Sequence, residues 1–422
     1  MARSLNMSLR THDSIGTYSS RRRTRNFKWS ARFVHESVHV TLSLHTHEEQ
    51  CFLMHDCRGQ ARRVDPTADR SYAGELWRMP KELLSLPEAD RKLLSKEYVL
   101  ESPPGGFAEN ALTQQAPISL AEEVLVVGTL LIVMGGPLLL LPTLLLCLVF
   151  GSWTSVVAWV LVVALLAMHP LPECSKAARE SIFATALYKY FTYRFVWSGD
   201  AREKGEAAPA WIGAGPPHGV LPFANVLSIP AINTFACRHF VGAGASVVEK
   251  TPFLRYMSLF GMIDVSARSI TKALARGTCV GLVPDGIAGI FRTNSRDEVV
   301  KLKERKGIAK LALRTGTPIV PAYSVGNSRA YTAIFDRWGL LETVSRKAQT
   351  SIFLYFGRFY LPIPRRVNIT MLIGEPIMVD KVEEPTPAQI DALHERYLTE
   401  MKALFDQHKA SLGWGHLNLI YE

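Results

Sequence analysis

The chain has 422 residues, 48% of them apolar, with a formal net charge of +10 and a pI near 9.3. That length suffices for a large core and an appendage, and the basic balance suits an anionic partner such as phospholipid head groups, nucleic acid or a polyphosphate co-substrate. The six cysteines, Cys51, Cys57, Cys147, Cys174, Cys237 and Cys279, stand far apart without a framework spacing, which speaks against a disulfide scaffold and for a reducing compartment.

The first residues carry Arg21, Arg22, Arg23 and Arg25 among serines, with Asp13 as the lone acid before Phe33. They read as a solvated basic segment, with a membrane-surface patch or an organelle transit peptide as alternatives, and they lack the apolar core of a secretory signal. His45, His47, Cys51, His55 and Cys57 hold enough ligands for zinc but match no finger spacing, while Val38, Val40 and Leu42 alternate as a strand does. No metal site is assigned. Ser85-Leu-Pro-Glu88 is a capping-box pattern that opens a predicted helix to about Leu100. Pro103-Pro-Gly-Gly106 then reads as a linker. Residues 1–120 are expected to be a basic, partly disordered extension.

From Val124 to Met168 there is no Asp, Glu, Lys, Arg or His. The run is too long for one membrane span of about 20 residues and about right for two. Gly135-Gly-Pro137 with Pro142, or Gly151-Ser152, supplies the turn. With Arg91 and Lys92 before it and Lys176 and Arg179 after it, both ends are expected on the cytosolic side. Residues 121–172 are therefore predicted to form a transmembrane or re-entrant helical hairpin. A single such region excludes a polytopic transporter or channel. The segment Lys176–Trp197 is rich in rings, among them Tyr188, Tyr190, Phe191, Tyr193, Phe195 and Trp197. It reads equally as a helix at the lipid head-group level or as ordinary core.

Residues 173–422 have the pattern of a compact α/β domain. Strands are predicted near Phe240–Val241, Val280–Val283, Ile319–Ser324 and Ile369–Ile373, with a helix over Gly307–Leu313 that stops at Thr315-Gly316. The most secure helix starts at Thr386, with Pro387 at its first turn, Gln389 completing the capping box, and Ile390, Leu393, Tyr397, Met401 and Leu404 on one face.

The domain is organised around Trp211–Asn225. A short apolar run enters a turn dense in Gly and Pro, which delivers one titratable side chain, His218. A second feature is the basic stretch Arg292–Lys306, which includes Lys303, Arg305 and Lys306. It is either a solvated face or a phosphate-binding patch. A base, a cation patch and a lipid anchor together suit transfer between an anionic soluble donor and a lipid acceptor. Several rival chemistries lack their motifs: there is no Gly-x-Ser-x-Gly elbow, no Walker A loop and no dinucleotide fingerprint, and Phe223 stands where a His-x4-Asp acyltransferase motif needs Asp.

The second half resembles the type 2 diacylglycerol acyltransferase family, which includes monoacylglycerol and wax-alcohol acyltransferases. Pro217-His218-Gly219 matches the end of that family's His-Pro-His-Gly signature. Arg305-Lys306-Gly307 through Leu313, with Thr315–Pro321 after it, resembles its Arg-Lys-Gly block. Gly374-Glu-Pro-Ile377 and Phe405-Asp-Gln-His-Lys409 resemble its C-terminal end. The similarity runs from about Leu125 to Gly413. Pro216 replaces the signature's first histidine, and Gly289 stands where the family's Gly-Gly-Ala-x-Glu block has its glutamate.

The resemblance implies a membrane-anchored α/β acyltransferase on the endoplasmic reticulum and lipid droplets with its catalytic domain in the cytosol; the Arg-rich start leaves a plastid open. The reaction it implies uses acyl-CoA as co-substrate, with no bound cofactor, metal or nucleic acid, and makes triacylglycerol from diacylglycerol. His218 is the expected general base and Gly219 the oxyanion donor. Pro217, Asn225, Lys303, Arg305, Lys306 and Gly307 are expected to bind substrate, and Asp285 or Asp264 to orient His218. Monoacylglycerol, a long-chain alcohol or a lysophospholipid is the alternative acceptor, a non-catalytic lipid-binding or droplet protein is the alternative role, and a homo-oligomer is left open.

Overall fold

A computed structural model describes residues 98–422 apart from 172–174, 180, 236–238 and 293–296, and before residue 98 only the backbone of five short strands. The chain divides into two compact units, Met1–Arg91 and Lys92–Glu422. In the first, Lys28–His35 pairs antiparallel with Val38–His45, and Phe52–His55 with Ala61–Val64. Cys51 and Cys57 of the His/Cys pattern, and the predicted helix up to residue 97, lie outside the described residues.

The second unit is built on eight strands: β1 (Val99–Glu101), β2 (Arg194–Trp197), β3 (Ile212–Ala214), β4 (Phe240–Gly244), β5 (Met262–Asp264), β6 (Cys279–Leu282), β7 (Ile319–Val325) and β8 (Thr370–Ile373). They form one sheet in the order β5-β4-β6-β3-β7-β8-β2-β1. The five strands from β5 to β7 are parallel, β8 runs antiparallel to β7, and β2 and β1 are parallel to β8.

The longer of the described helices that accompany the sheet are α1 (Leu120–Phe150), α2 (Trp153–Met168), α3 (Ile182–Tyr190), α4 (Phe223–Phe235), α5 (Ala267–Ala275), α6 (Gly307–Thr315), α7 (Leu340–Ala348) and α8 (Pro387–His408). The period-two alternation of strands sorts the core into two layers. Trp211, Phe240, Cys279, Ala322 and Met371 face a core shared with α3, α4 and the first half of α1. Ile212, Val241, Val280, Tyr323 and Leu372 face a core shared with α5, α6 and α8. Buried on both faces, the central strands read in sequence as short apolar runs.

The four predicted strands are present, and α6 ends on the left-handed Gly316 as its sequence demands. The Thr386–Gln389 capping box forms on α8. One expectation is corrected and one open alternative is decided. Val99–Leu100 does not continue a helix: it joins β1, because the edge of β2 offers unpaired backbone groups that Val99–Glu101 satisfies. This places residues assigned above to the extension inside the larger unit. The aromatic segment is core, not an interfacial helix. Tyr188, Tyr190, Phe191, Tyr193, Phe195 and Trp197 are buried, and the tyrosine hydroxyls are paired with Leu227 O, Pro364 O and Ser228 Oγ, which removes the desolvation cost of placing them there.

The apolar run folds as an antiparallel helix pair, tied by the Trp159 Nε1–H donating to Thr143 Oγ1 at 3.0 Å. Val126, Leu130, Val133 and Met134 of α1 are buried against the domain. Beyond Pro137, however, Leu139, Leu141, Leu145 and Phe150 are exposed, and α2 buries no residue. Of the described helices, α1 alone is long and apolar enough to cross a membrane.

Candidate active site

Three adjacent parallel strands, β6, β3 and β7, end on the same edge of the sheet, and each delivers one polar side chain to a single spot. Loops at the carboxyl ends of parallel strands are where open α/β sheets place their sites. After β3 comes Gly215-Pro-Pro-His218, with a cis bond between Pro216 and Pro217. After β6 comes Val283-Pro-Asp285, and after β7 comes Gly326-Asn327.

The histidine loop is held from both sides. On the β6 side, the Gly215 N–H donates to Leu282 O at 3.0 Å, and the His218 backbone N–H donates to Asp285 Oδ2 at 3.1 Å. On the β7 side, the Ser324 N–H donates to Pro216 O at 2.8 Å, and Asn327 Nδ2 donates to His218 O at 2.8 Å and Pro217 O at 3.4 Å. Gly219 has φ of +61°, and a Cβ there would stand 2.8 Å from Asn327 Nδ2, so glycine is required twice over.

The imidazole is set by the loop itself. His218 Nδ1 lies 2.9 Å from Gly219 O. A carbonyl can only accept, so Nδ1 carries the proton and Nε2 is left as the basic nitrogen. Burial holds the imidazole below its ordinary range, against the pull of the Gly219 carbonyl. Burial therefore favours the neutral ring. Gly219 is buried, yet its N–H makes no hydrogen bond to a described residue, and neither does that of Val220. A buried donor left without a partner costs about 1–3 kcal/mol, and such donors are rare unless something else uses them.

Asp285 is fully buried, and Oδ1 has no partner. Burial pushes its carboxyl up to about 7, opposed by the N–H groups of His218, Asp285 itself and Gly286 and by the Arg305 charge. Asp285 touches the His218 backbone rather than the ring, so it orients the loop. Asp264 ends β5, three strands away from β3 in the sheet, and accepts from the Ser266 N–H at 2.9 Å. Asn225 and Pro217 belong to the loop's support: Asn225 Nδ2 donates to Gly215 O at 3.0 Å. Lys303 and Arg305 are exposed and form no ion pair with a described residue, whereas Lys306 pairs with Asp391 at 2.7 Å. Gly307 opens α6 directly after them, where free helix N–H groups suit an anion. Among the described residues no group of His, Cys, Asp and Glu could hold a metal ion.

Two supporting residues escaped the sequence reading. Asn327 follows a legible strand in a Gly-Asn turn, a signal that was available. Glu298 gave none. Buried beside β7, it accepts from Tyr323 Oη at 2.7 Å and from Ser328 Oγ at 3.0 Å, and so fixes the turn that carries Asn327. Burial raises its carboxyl to about 7 as well.

A sequence profile described as Diacylglycerol acyltransferase matches residues 147–420. The chain belongs to that family. It is 32% identical over 217 residues to Diacylglycerol O-acyltransferase 2 of Danio rerio, covering 47% of this chain and 60% of that protein. It is 30% identical to the Homo sapiens protein of the same name, covering 47% and 56%, and 27% identical to Diacylglycerol O-acyltransferase 2-like protein 6 of Bos taurus, covering 53% and 72%. The chain thus spans little more than half the length of the first two. Against the family's glutamate, Gly289 has a structural reason: a Cβ at 289 would collide with the Asp285 carboxylate.

Proposed function

We propose that this chain is an acyl-CoA-dependent O-acyltransferase that makes triacylglycerol from diacylglycerol. The observation that carries the reading is the pairing of His218 Nε2, left basic by the Nδ1–Gly219 contact, with the unpartnered N–H of buried Gly219. Nε2 takes the proton of the acceptor hydroxyl as its oxygen attacks the thioester carbonyl carbon. The Gly219 N–H, with that of Val220, receives the oxyanion of the tetrahedral intermediate. Collapse breaks the C–S bond, and the CoA sulfur leaves with the proton from Nε2, so ester and free CoA form and His218 returns to its neutral state. No covalent acyl-enzyme is needed. Lys303 and Arg305, with the first turn of α6 at Gly307, suit the CoA phosphates. Lys306, already paired with Asp391, contributes less.

The α1–α2 pair is the membrane anchor in this reading. At 1.5 Å per residue, the 16 residues of α2 extend about 24 Å, and the exposed part of α1 after Pro137 is similar. That falls short of a hydrocarbon core of about 30 Å, so the pair enters one face of the bilayer as a re-entrant hairpin and returns. The endoplasmic reticulum and its lipid droplets, with the site facing the cytosol, are the corresponding location.

Membranes carrying the wild-type chain or His218→Ala, given labelled acyl-CoA with diacylglycerol, monoacylglycerol, a fatty alcohol or a lysophospholipid, test the reading. Triacylglycerol from the wild type alone supports it. Turnover by His218→Ala near the wild-type level refutes the base, and the absence of any product returns the chain to a lipid-binding role.

A further inference from the structure

We propose that the segment Ile334–Leu361 is a second membrane-contact surface, lying on the phospholipid head-group layer beside the hairpin. The inference rests on the reading of α1–α2 as membrane-inserted. The underside of this segment is a small ring cluster: Phe291, which is buried, and the half-buried Phe335 and Phe353 pack together at 4.8–5.8 Å between centroids. Its outer side is not. Trp338 is 88% exposed, Tyr360 85% and Phe359 74%, and Leu340, Leu354 and Leu361 join them. One face of Tyr360 meets the Phe356 ring at 5.4 Å and Arg358 stands 5.3 Å over Phe359, but most of each ring stays open, and an exposed apolar surface of this kind marks an interaction site.

The backbone commits to the display. Phe359 and Tyr360 have φ of 55° and 58°, a left-handed conformation that side chains other than glycine's rarely adopt. Two consecutive residues held there, at about 1–3 kcal/mol each, keep two rings turned outward. A fold that spends strain to present aromatics to the outside needs something there to receive them.

Charge and position identify the occupant as lipid. Between residues 334 and 366 stand Arg337, Arg346, Lys347, Arg358, Arg365 and Arg366 against Asp336 and Glu342. Arg337 and Lys347 are exposed and form no ion pair with a described residue. Lys347 shares a face of α7 with Leu340 and Val344, seven and three residues before it. Apolar residues and rings beside free cations are the composition that settles at an anionic head-group layer.

The segment also abuts the hairpin where it leaves the domain. Tyr355 Oη donates to Met134 O at 2.6 Å, Arg358 pairs with Glu123, and Gly135 packs on Pro362. The contacts at Met134 and Gly135 hold it against α1 immediately before Pro137, the point past which α1 becomes exposed, while Arg358 reaches back to the first turn of the helix. A bilayer that receives the hairpin from there onward meets this surface too.

Photocrosslinking on the full chain tests the proposal. Benzoylphenylalanine replaces Trp338, Phe359, the hairpin-tip Trp153 or the exposed Glu400 of α8, one at a time, in protein reconstituted into phosphatidylcholine–phosphatidylserine vesicles. Lipid adducts at 338, 359 and 153, with none at 400, are expected. Adducts at 153 but none at 338 and 359 overturn the proposal and leave the hairpin standing. No adduct at 153 overturns the hairpin reading and this proposal with it. Crosslinks from 338 or 359 to a second copy of the chain, in place of lipid, make the surface a protein interface and overturn it as well.

Discussion

Gly289 and Asp285 share one space: the Asp285 carboxylate lies where a side chain at 289 would begin, and from there Oδ2 receives the His218 N–H. The residue lacking a side chain thus lets the acid reach the histidine loop. Gly289→Ala is expected to displace the carboxylate and release that side of the loop. Overpacking of this kind costs about 1–3 kcal/mol. Acyl transfer should fall at least tenfold, with a lower Tm. Gly289→Glu, which restores the residue that the resemblance implies, should be worse rather than better, because Asp285 still occupies the site. Parallel turnover and melting measurements decide, and wild-type turnover in Gly289→Glu would show that the two groups do not compete.

Asn327 carries the other side of the loop. Asn327→Ala removes the donor to His218 O and Pro217 O and the acceptor of the Ala224 N–H. Leaving those buried groups unpaired costs about 1–3 kcal/mol. In the proposed reaction the expected kinetic signature is a lower kcat with little change in the KM for acyl-CoA, since Asn327 holds the loop that carries His218 and lies on a different element from Lys303 and Arg305. Asn327→Asp should be more damaging than Ala, because it sets carboxylate oxygen against two carbonyls. Steady-state kinetics on the three proteins test the order.

How much of this was legible in the sequence depends on the range of the contacts. His218 stands out because its turn chemistry is local: Gly, Pro and Pro precede it and Gly follows. The α8 capping box and the Gly316 stop of α6 are local too. Asn327 and Glu298 act through partners on other elements, and their importance appears only when the order β6-β3-β7 is known. Asp285 was a candidate for the wrong partner, ring instead of backbone, because sequence cannot say which atom of a residue a carboxylate meets. The aromatic segment before β2 has one composition for two environments, and only its packing under the sheet separates core from interface. Trp338, Phe359 and Tyr360 belong to no motif or predicted element, and only their exposure and, for the last two, their backbone angles single them out.

The two raised carboxyls make stability depend on pH in a definite direction. Asp285 rises from 3.8 and Glu298 from 4.5, both to about 7. A group that holds its proton more tightly when folded stabilises fully below its unfolded value, and that contribution is lost as pH rises through the folded value. Between about pH 4.5 and pH 8, each should therefore cost the fold on the order of a few kcal/mol. Asp285→Asn keeps an acceptor for the His218 N–H and cannot ionise. Its stability relative to wild type should improve as pH rises across that window. Urea unfolding of both proteins in the same detergent at several pH values measures the difference, and a gap that stays constant from pH 5 to pH 8 would remove the Asp285 part of the argument.

The three cations before α6 are not equivalent. Lys306 already has Asp391 at 2.7 Å, so a phosphate must compete for it, while Lys303 and Arg305 are exposed without such a partner. A charge-assisted hydrogen bond is worth about 1.5–3 kcal/mol when desolvated and less at an exposed site. Arg305→Ala should raise the KM for acyl-CoA severalfold to about tenfold with kcat nearly unchanged, and Lys303→Ala should do the same more weakly. Lys306→Ala should change it least. Added salt should raise the wild-type KM and flatten the differences among the three, since exposed charges are screened within about 10 Å at 0.1 M. If instead Lys306→Ala has the largest effect, the Asp391 pair opens when the donor binds, and Asp391→Asn should then lower the KM below the wild-type value.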